Sequence, residues 1–164
     1  MIKHKVYAQH SRVSAKDRLC IKLIKTCVIT ALNSEGVETP CEVSVLITDD
    51  ESIRKINLEF RNIDKATDVL SFPMLEFSPP GWTDPGFHAV DPETGLIALG
   101  EIVLSAEKVK KQAHLYNQTV ERETAYLTIH SVLHLLGYDH LDEAKGKKQM
   151  REREKEILGE IEYD

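Results

Sequence analysis

Apolar residues recur at three- and four-residue intervals in several parts of the chain, which is the spacing of a helix face. Two such rows run through the first segment: Leu19, Leu23, Cys27 and Ala31, and Cys20, Ile24, Val28 and Leu32. Ser14 and Asp17 resemble a capping box. The pattern therefore predicts an amphipathic helix that opens near Ser14 and ends between residues 33 and 36.

Four more helices are expected over about 50–60, 106–116, 119–136 and 143–161. Asp49 or Asp50 caps the first, in which Ile53, Ile56 and Phe60 should face inward. Ser105 should cap the second. The apolar stripe of the third comprises Ala125, Ile129, Val132, Leu133 and Leu136. The anchors of the last, charged helix are Met150, Ile157 and Leu158.

Alternation of apolar and polar residues predicts strands. It is clear over residues 41–48 and weak over 2–8, and further strands are expected over 67–72 and 98–104. Strands and helices mix without a strict βαβ repeat. The predicted fold is therefore α+β, an α/β-type sandwich in which a small mixed sheet of about four strands packs against helices. At 164 residues the chain is expected to form a single domain over 1–164.

A stretch rich in proline and glycine, from Ser78 to Gly95, interrupts this pattern. It is too long for a tight hairpin loop, so it is either a flap or a mobile loop. Trp82 in this stretch could stack on a nucleic-acid base. The favoured interpretation is that Trp82 packs against its own loop.

Three histidines are concentrated near the end of the 119–136 helix. His130 and His134 are four residues apart, so both imidazoles can point from one helix face at a common spot. Gly137 suits the left-handed residue that ends a helix, and it would turn the chain so that His140 supplies a third nitrogen. Three imidazoles and an open position are typical of catalytic Zn²⁺. Nickel, copper or cobalt could also bind this set.

The same spacing, H-x-x-x-H-x-x-G-x-x-H, occurs in zinc peptidases. Those enzymes place a glutamate directly after the first histidine as the general base. Here Ser131 holds that position. The pattern therefore keeps the metal ligands and loses the base of a peptidase.

Three segments carry a resemblance to a known family. Residues 130–140, HSVLHLLGYDH, resemble the signature of the YbeY family of metal-dependent endoribonucleases. Residues 58–73, LEFRNIDKATDVLSFP, resemble its YR-x-x-D-x-x-TDVLSFP block, and residues 99–105, LGEIVLS, resemble its LGDI strand. Ser131 stands where the family usually has glycine, and Glu101 where it usually has aspartate.

The resemblance implies a cytoplasmic, single-strand-specific endoribonuclease that acts in rRNA maturation, including the 3′ end of 16S rRNA, and in ribosome quality control. It implies Zn²⁺ on His130, His134 and His140, and Arg61 as a catalytic residue that holds phosphate oxygens. Asp139 could orient a ligand, act as a base or only cap the turn. Either activated water or the RNA 2′-hydroxyl could attack phosphorus, and the sequence leaves both open.

Composition limits the partners. The net charge of −6 argues against a general nucleic-acid coat, although local basic clusters occur. The clusters at residues 108–111 and 145–153 are interpreted as solvated helix faces. Three cysteines without C-x-x-C spacing predict reduced, mostly buried thiols, and the chain has no signal-peptide pattern or apolar run that spans a membrane.

Single-stranded rRNA, the small ribosomal subunit or ribosome-associated proteins are the expected partners, and a monomer is the expected state. Two other functions remain open at this point. One is a zinc peptidase, and the other is a non-catalytic ribosome-assembly factor in which the metal is structural.

Overall fold

A four-stranded mixed sheet organises the chain. The computed structural model describes residues 2–139 and 144–163, with the side chains of 144 and 145 excepted. The strands are β1 (Lys5–His10), β2 (Cys41–Thr48), β3 (Val69–Pro73) and β4 (Ile97–Ser105), in the order β1-β2-β4-β3. β1 pairs with β2 and β2 with β4 in parallel, whereas β3 pairs with β4 in antiparallel fashion.

Five helices accompany the sheet: α1 (Ile21–Ser34), α2 (Asp50–Arg61), α3 (Ala106–Leu115), α4 (Val120–Leu135) and α5 (Ala144–Leu158). Successive residues of a strand point to opposite faces. Val45 and Ile102 therefore join the main core with α1 and α4, whereas Val103 joins a small second cluster with Ile53 of α2. The α+β class and the sheet of four strands are confirmed.

Helix α4 lies at the centre of the packing. It contacts α1, α3 and α5, and it also contacts strands β3 and β4. The whole predicted stripe of this helix is buried, comprising Ala125, Ile129, Val132, Leu133 and Leu136. Gly100 of β4 allows the close approach, since a Cβ there would lie 2.8 Å from Leu135 Cδ2 and 2.3 Å from the Phe72 carbonyl oxygen. Any side chain at Gly100 would push these elements apart.

The start of α1 corrects the sequence prediction. Ser14 does bond Asp17, at 2.9 Å, but this pair closes only a 3₁₀ turn over Ala15–Asp17. The α-helix begins at Ile21, where the Cys20 sulfur accepts a hydrogen bond from the backbone N–H of Leu23. Cys20 is consequently exposed at the cap, whereas the other two cysteines are buried as expected.

The inward face of α2 is also corrected. Phe60 is 65 % exposed, although it was expected in the core, and Ile56 is half-buried. Asn57, one turn after the buried Ile53, takes the inner position instead. Its side-chain amide donates to the backbone carbonyl of Lys65 at 2.8 Å, which fixes the turn that follows α2. The inward face of α2 therefore differs from the predicted one, because the polar contact of Asn57 takes the place of the apolar contact expected of Phe60.

The predicted N-terminal caps of α2 and α3 are confirmed, and Thr119 caps α4. Asp49, Ser105 and Thr119 accept hydrogen bonds from backbone N–H groups at the starts of α2, α3 and α4. Met150 and Ile157 anchor α5 in the core, and Leu158 is half-buried. No helix within 2–139 or 144–163 combines the length and apolar character needed to span a membrane.

Candidate active-site cleft

His130 and His134 direct their rings at one point from the C-terminal half of α4. Their Nε2 atoms lie 3.0 Å apart, and their rings meet at an interplanar angle of 81°. The four-residue spacing produces this convergence because the two residues are stacked one turn apart on the helix. Both side chains are partly buried and reach into a cleft of about 800 Å³.

The two nitrogens fit the requirement of a shared metal ion. With Zn–N bonds of about 2.0–2.1 Å and a tetrahedral angle, two ligand nitrogens stand about 3.4 Å apart. The observed separation is within a few tenths of an ångström of that value. No cluster of three His, Cys, Asp or Glu ligands occurs among residues 2–139 and 144–163. The third predicted ligand, His140, lies outside the described residues.

The turn that follows α4 has the geometry that Gly137 predicted. Gly137 has a φ of +94°. Its N–H donates to the carbonyl of His134 at 3.0 Å, and the N–H of Tyr138 donates to the carbonyl of Leu133 at 3.0 Å. This pair of bonds is a Schellman motif. A Cβ at Gly137 would also lie 2.4 Å from the carbonyl oxygen of Phe77, so the turn packs directly on the preceding loop.

Arg61 lies at the rim of the same cleft. It is the last residue of α2, it is exposed, and it lines the cleft together with His130 and His134. Among the described residues that line the cleft, Arg61 is the only arginine or lysine. The turn behind it is held by an ion pair between Arg54 and Asp64 at 2.7 Å. The fold thus brings a residue 69 positions upstream to the histidine pair.

Polar groups of β3 and of the two residues before it also line the cleft. Thr67, Asp68 and Ser71 line the cleft. Asp68 accepts hydrogen bonds from the backbone N–H of Val69 at 2.7 Å and from the amide of Gln112 at 3.2 Å. These two bonds give Asp68 a structural role, since they join the start of β3 to α3. The Thr67 hydroxyl donates to the Asp68 carboxylate at 3.2 Å, whereas the Ser71 hydroxyl lies at the wall, where it could donate to a substrate.

On the opposite side, Asp139 brings an exposed carboxylate to the cleft immediately before His140. Residues 75–78 form the rest of that side. The N–H of Gly81 donates to the carbonyl of Leu136 at 2.9 Å, so the proline-rich loop is attached to the end of α4. Trp82 packs against Phe77 with ring centroids 5.8 Å apart, which confirms that it pins its own loop.

Glu154 of α5 is a neighbour of the histidines that the sequence analysis did not identify. Its Oε1 lies 2.7 Å from Nδ1 of His130, and only 7 % of its side chain is exposed. Tyr126 packs on the His130 ring at 5.8 Å. Burial, followed by the charge of Glu154 and a hydrogen bond to it, raises the pKa of Tyr126 to about 12.

Ser131 is turned away from the cleft. It is fully buried, and its Oγ has no hydrogen-bond partner among the described residues. The position that carries the general base of a zinc peptidase therefore faces the core in this fold. Glu101 is also remote, since it lines a separate cavity on the other face of the sheet with Tyr7 and Phe60.

Comparisons with known proteins match most of the chain. The family model described as "Endoribonuclease YbeY" matches residues 5–162. The endoribonuclease YbeY of Clostridium botulinum strain Eklund 17B is 50 % identical over 133 residues, 78 % of this chain and 80 % of that protein. The same enzyme of Clostridium kluyveri is 44 % identical over 155 residues, 92 % of this chain and 93 % of that protein.

A solved structure also resembles the chain throughout. The solution structure of TM1509 from Thermotoga maritima superposes with a TM-score of 0.59 at 28 % identity, covering 94 % of this chain and 87 % of that one. The family match covers nearly all of the described residues, including both histidines and Arg61. The chain therefore belongs to the YbeY family of endoribonucleases.

Proposed function

We propose that the chain is a metal-dependent endoribonuclease whose reaction takes place in the cleft between α4, β3 and the end of α2. Membership of the family makes it a hydrolase of RNA phosphodiester bonds in rRNA maturation. The observation that carries the site is the convergence of the His130 and His134 Nε2 atoms, 3.0 Å apart, in a cleft that the exposed Arg61 also lines.

His130, His134 and His140 are the residues that would hold the metal, with Zn²⁺ as our first choice because imidazole ligands suit it. When bound, the metal supplies a Lewis acid and lowers the pKa of water in the site. The described residues do the rest. Arg61 can hold two oxygens of the scissile phosphate with parallel N–H donors, which orients phosphorus and stabilises its developing charge.

Asp139 is our candidate for the group that accepts the proton of the attacking nucleophile. Its carboxylate is exposed within the cleft, which leaves it within reach of a substrate. A general base must lie within hydrogen-bond reach of the proton it removes. Ser71 is placed on the opposite wall, where its hydroxyl can donate to a neighbouring phosphate or ribose oxygen.

We further propose that the chain is one domain over 1–164, that it acts as a monomer in the cytoplasm, and that its substrate is single-stranded rRNA of the small ribosomal subunit. The family assignment and the cleft, which is lined by residues of both the 58–73 and the 130–140 blocks, support this proposal. Association with ribosomal proteins is part of the same proposal.

The test is cleavage of a short single-stranded RNA by purified wild-type protein, His134→Ala and Arg61→Ala, each with its measured metal content. His114→Ala, an exposed histidine of α3, and Lys55→Ala, an exposed lysine of α2, are matched controls. Loss of one donor to developing charge costs about 10²–10³ in rate, so Arg61→Ala should retain metal and cut about that much more slowly.

His134→Ala should lose both metal and cleavage, and the two controls should behave as the wild type does. Equal cleavage by all five proteins would show that a contaminant is responsible. That result would refute the proposed site and favour the non-catalytic assembly factor.

A further inference from the structure

Glu154 is the carboxylate that faces the back of the histidine pair. It lies on α5, 24 residues after His130, and its Oε1 is 2.7 Å from the His130 Nδ1 atom. The opposite ring nitrogen, Nε2, is the one that meets His134. His130 is thus held between a carboxylate on one edge and the proposed metal position on the other.

The chemistry of the ring connects these two edges. A neutral imidazole carries one proton, on either nitrogen, and only the other nitrogen has a lone pair in the ring plane. An ionised carboxylate accepts hydrogen bonds and donates none. A proton on Nδ1, donated to Glu154, therefore leaves the lone pair on Nε2, directed at His134 and the cleft.

The position of Glu154 is fixed independently of the histidine. Met150 and Ile157, which flank it at one turn on either side, are 1 % and 0 % exposed. The next residue back, Arg153, donates to the Glu35 carboxylate at 2.6 Å and to the Ser34 side chain at 3.0 Å. These contacts attach α5 to the end of α1. The carboxylate is therefore held in place before any metal arrives.

From this geometry we infer that Glu154 is a positioning residue of the metal site. It holds His130 in the Nδ1–H tautomer and fixes the rotation of the ring, so that Nε2 is ready to bind the metal. The inference rests on the proposed function for the site but not on the cleavage reaction. Outer contacts of this kind typically contribute about 10–100-fold to metal affinity.

The test measures zinc binding without RNA. The metal-free wild type, Glu154→Gln, Glu154→Ala and Glu152→Gln are titrated with Zn²⁺ in competition with a chromophoric chelator. Glu152 is an exposed glutamate on the same helix and is the matched control. Both Glu154 variants should bind Zn²⁺ about 10–100-fold more weakly, and Glu152→Gln should stay within about twofold of the wild type.

A second measurement reads the tautomer directly. The ¹⁵N shifts of the His130 ring in the metal-free protein should show a proton on Nδ1 in the wild type. Glu154→Gln should lose that preference because its amide group can donate to Nδ1 as well as accept from it. A purely structural role of Glu154 would change the unfolding midpoint and leave the tautomer of the folded protein unaltered.

Wild-type zinc affinity in Glu154→Gln would overturn the inference. A wild-type His130 ring protonated on Nε2 would also overturn it, even if both variants failed to fold. Failure of the proposed function would give a different result: the wild-type protein would bind Zn²⁺ but would not cut RNA.

Discussion

Replacing Ser131 with alanine should stabilise the protein, contrary to the usual effect of a core substitution. Ser131 is 0 % exposed, and its Oγ lacks a hydrogen-bond partner among the described residues. A buried hydroxyl without a partner costs about 1–3 kcal/mol. Alanine also has a higher helix propensity than serine, by roughly 0.5 kcal/mol.

One term opposes this gain. Removal of the oxygen leaves a small void, and a void of about methyl size costs on the order of 1 kcal/mol. The net increase in the free energy of unfolding is therefore about 0.5–2.5 kcal/mol. For a chain of this length each kcal/mol raises the melting temperature by roughly 2–4 °C, so Ser131→Ala should melt about 1–10 °C higher than the wild type.

The assay is thermal and urea unfolding of the metal-free protein, since bound metal would add its own stabilisation. Thr128→Val is the matched control. Thr128 is equally buried one turn earlier on α4, but its hydroxyl donates to the Thr124 carbonyl at 2.8 Å. Loss of that bond should cost about 0.5–1.5 kcal/mol. The same deletion of a hydroxyl thus has opposite signs at two neighbouring positions.

Glycine at position 131 allows a further comparison of stability. Ser131→Gly also removes the hydroxyl, but glycine costs about 1 kcal/mol relative to alanine inside a helix. Alanine should therefore be the most stable of the three, and Ser131→Gly should lie at least about 1 kcal/mol below Ser131→Ala. Zinc affinity should be unchanged in all of them because Ser131 does not line the cleft. A Ser131→Ala protein no more stable than the wild type would refute the reasoning.

Three further perturbations follow from the structure. Gly137→Ala should lower the free energy of unfolding by more than about 1–2 kcal/mol, because it adds a left-handed penalty to a clash with a loop carbonyl, and urea unfolding would detect it. Burial lowers the pKa of His4 and His10, so the unfolded state binds more protons below pH 6.5. The contribution of these two histidines to the free energy of unfolding should therefore be complete above pH 6.5 and fall as the pH drops below it. Urea unfolding midpoints from pH 7.5 to 5.5 measure this, and a midpoint that rises on acidification would contradict it. Arg153→Ala removes the cation paired with the buried Glu35 carboxylate and leaves it the hydrogen bond that the Tyr138 hydroxyl donates at 2.6 Å, so the cost should lie between about 1 and 5 kcal/mol; a loss below about 1 kcal/mol by urea unfolding would contradict the pairing.

Local periodicity was sufficient for much of the fold. The strand at Cys41–Thr48 and the helix at Val120–Leu135 are recognisable because each alternates or repeats strongly over its own length. The start of α1 and the exposure of Phe60 were missed for a different reason. At α1 the capping pair Ser14–Asp17 closes a separate 3₁₀ turn, and Cys20 caps the α-helix instead. At α2 the Asn57 amide takes the inner position that the apolar pattern assigned to Phe60.

The candidate site likewise contains residues that local spacing predicts and residues that only the packing of distant elements brings together. The pair His130 and His134 and the turn at Gly137 follow from spacing on one helix, so the sequence contains them. That Arg61 reaches the cleft depends on the packing of α2 beside β3, and only the family motif indicated it in advance. The ring contact of Glu154 depends on how α5 crosses α4, which no local pattern encodes.

A signal for Glu154 is nevertheless present in the sequence. Met150, Glu154, Ile157 and Ile161 recur at intervals of four, three and four, so the glutamate occupies the apolar stripe of an otherwise charged helix. A carboxylate is rarely buried without a partner. Its place in that stripe therefore predicts a buried donor on the facing helix, and the helix that faces α5 carries His130. The spacing of the histidines brings the Nε2 atoms of His130 and His134 together. The glutamate in the apolar stripe of α5 then determines that Nε2, and not Nδ1, of His130 carries the lone pair directed at that point.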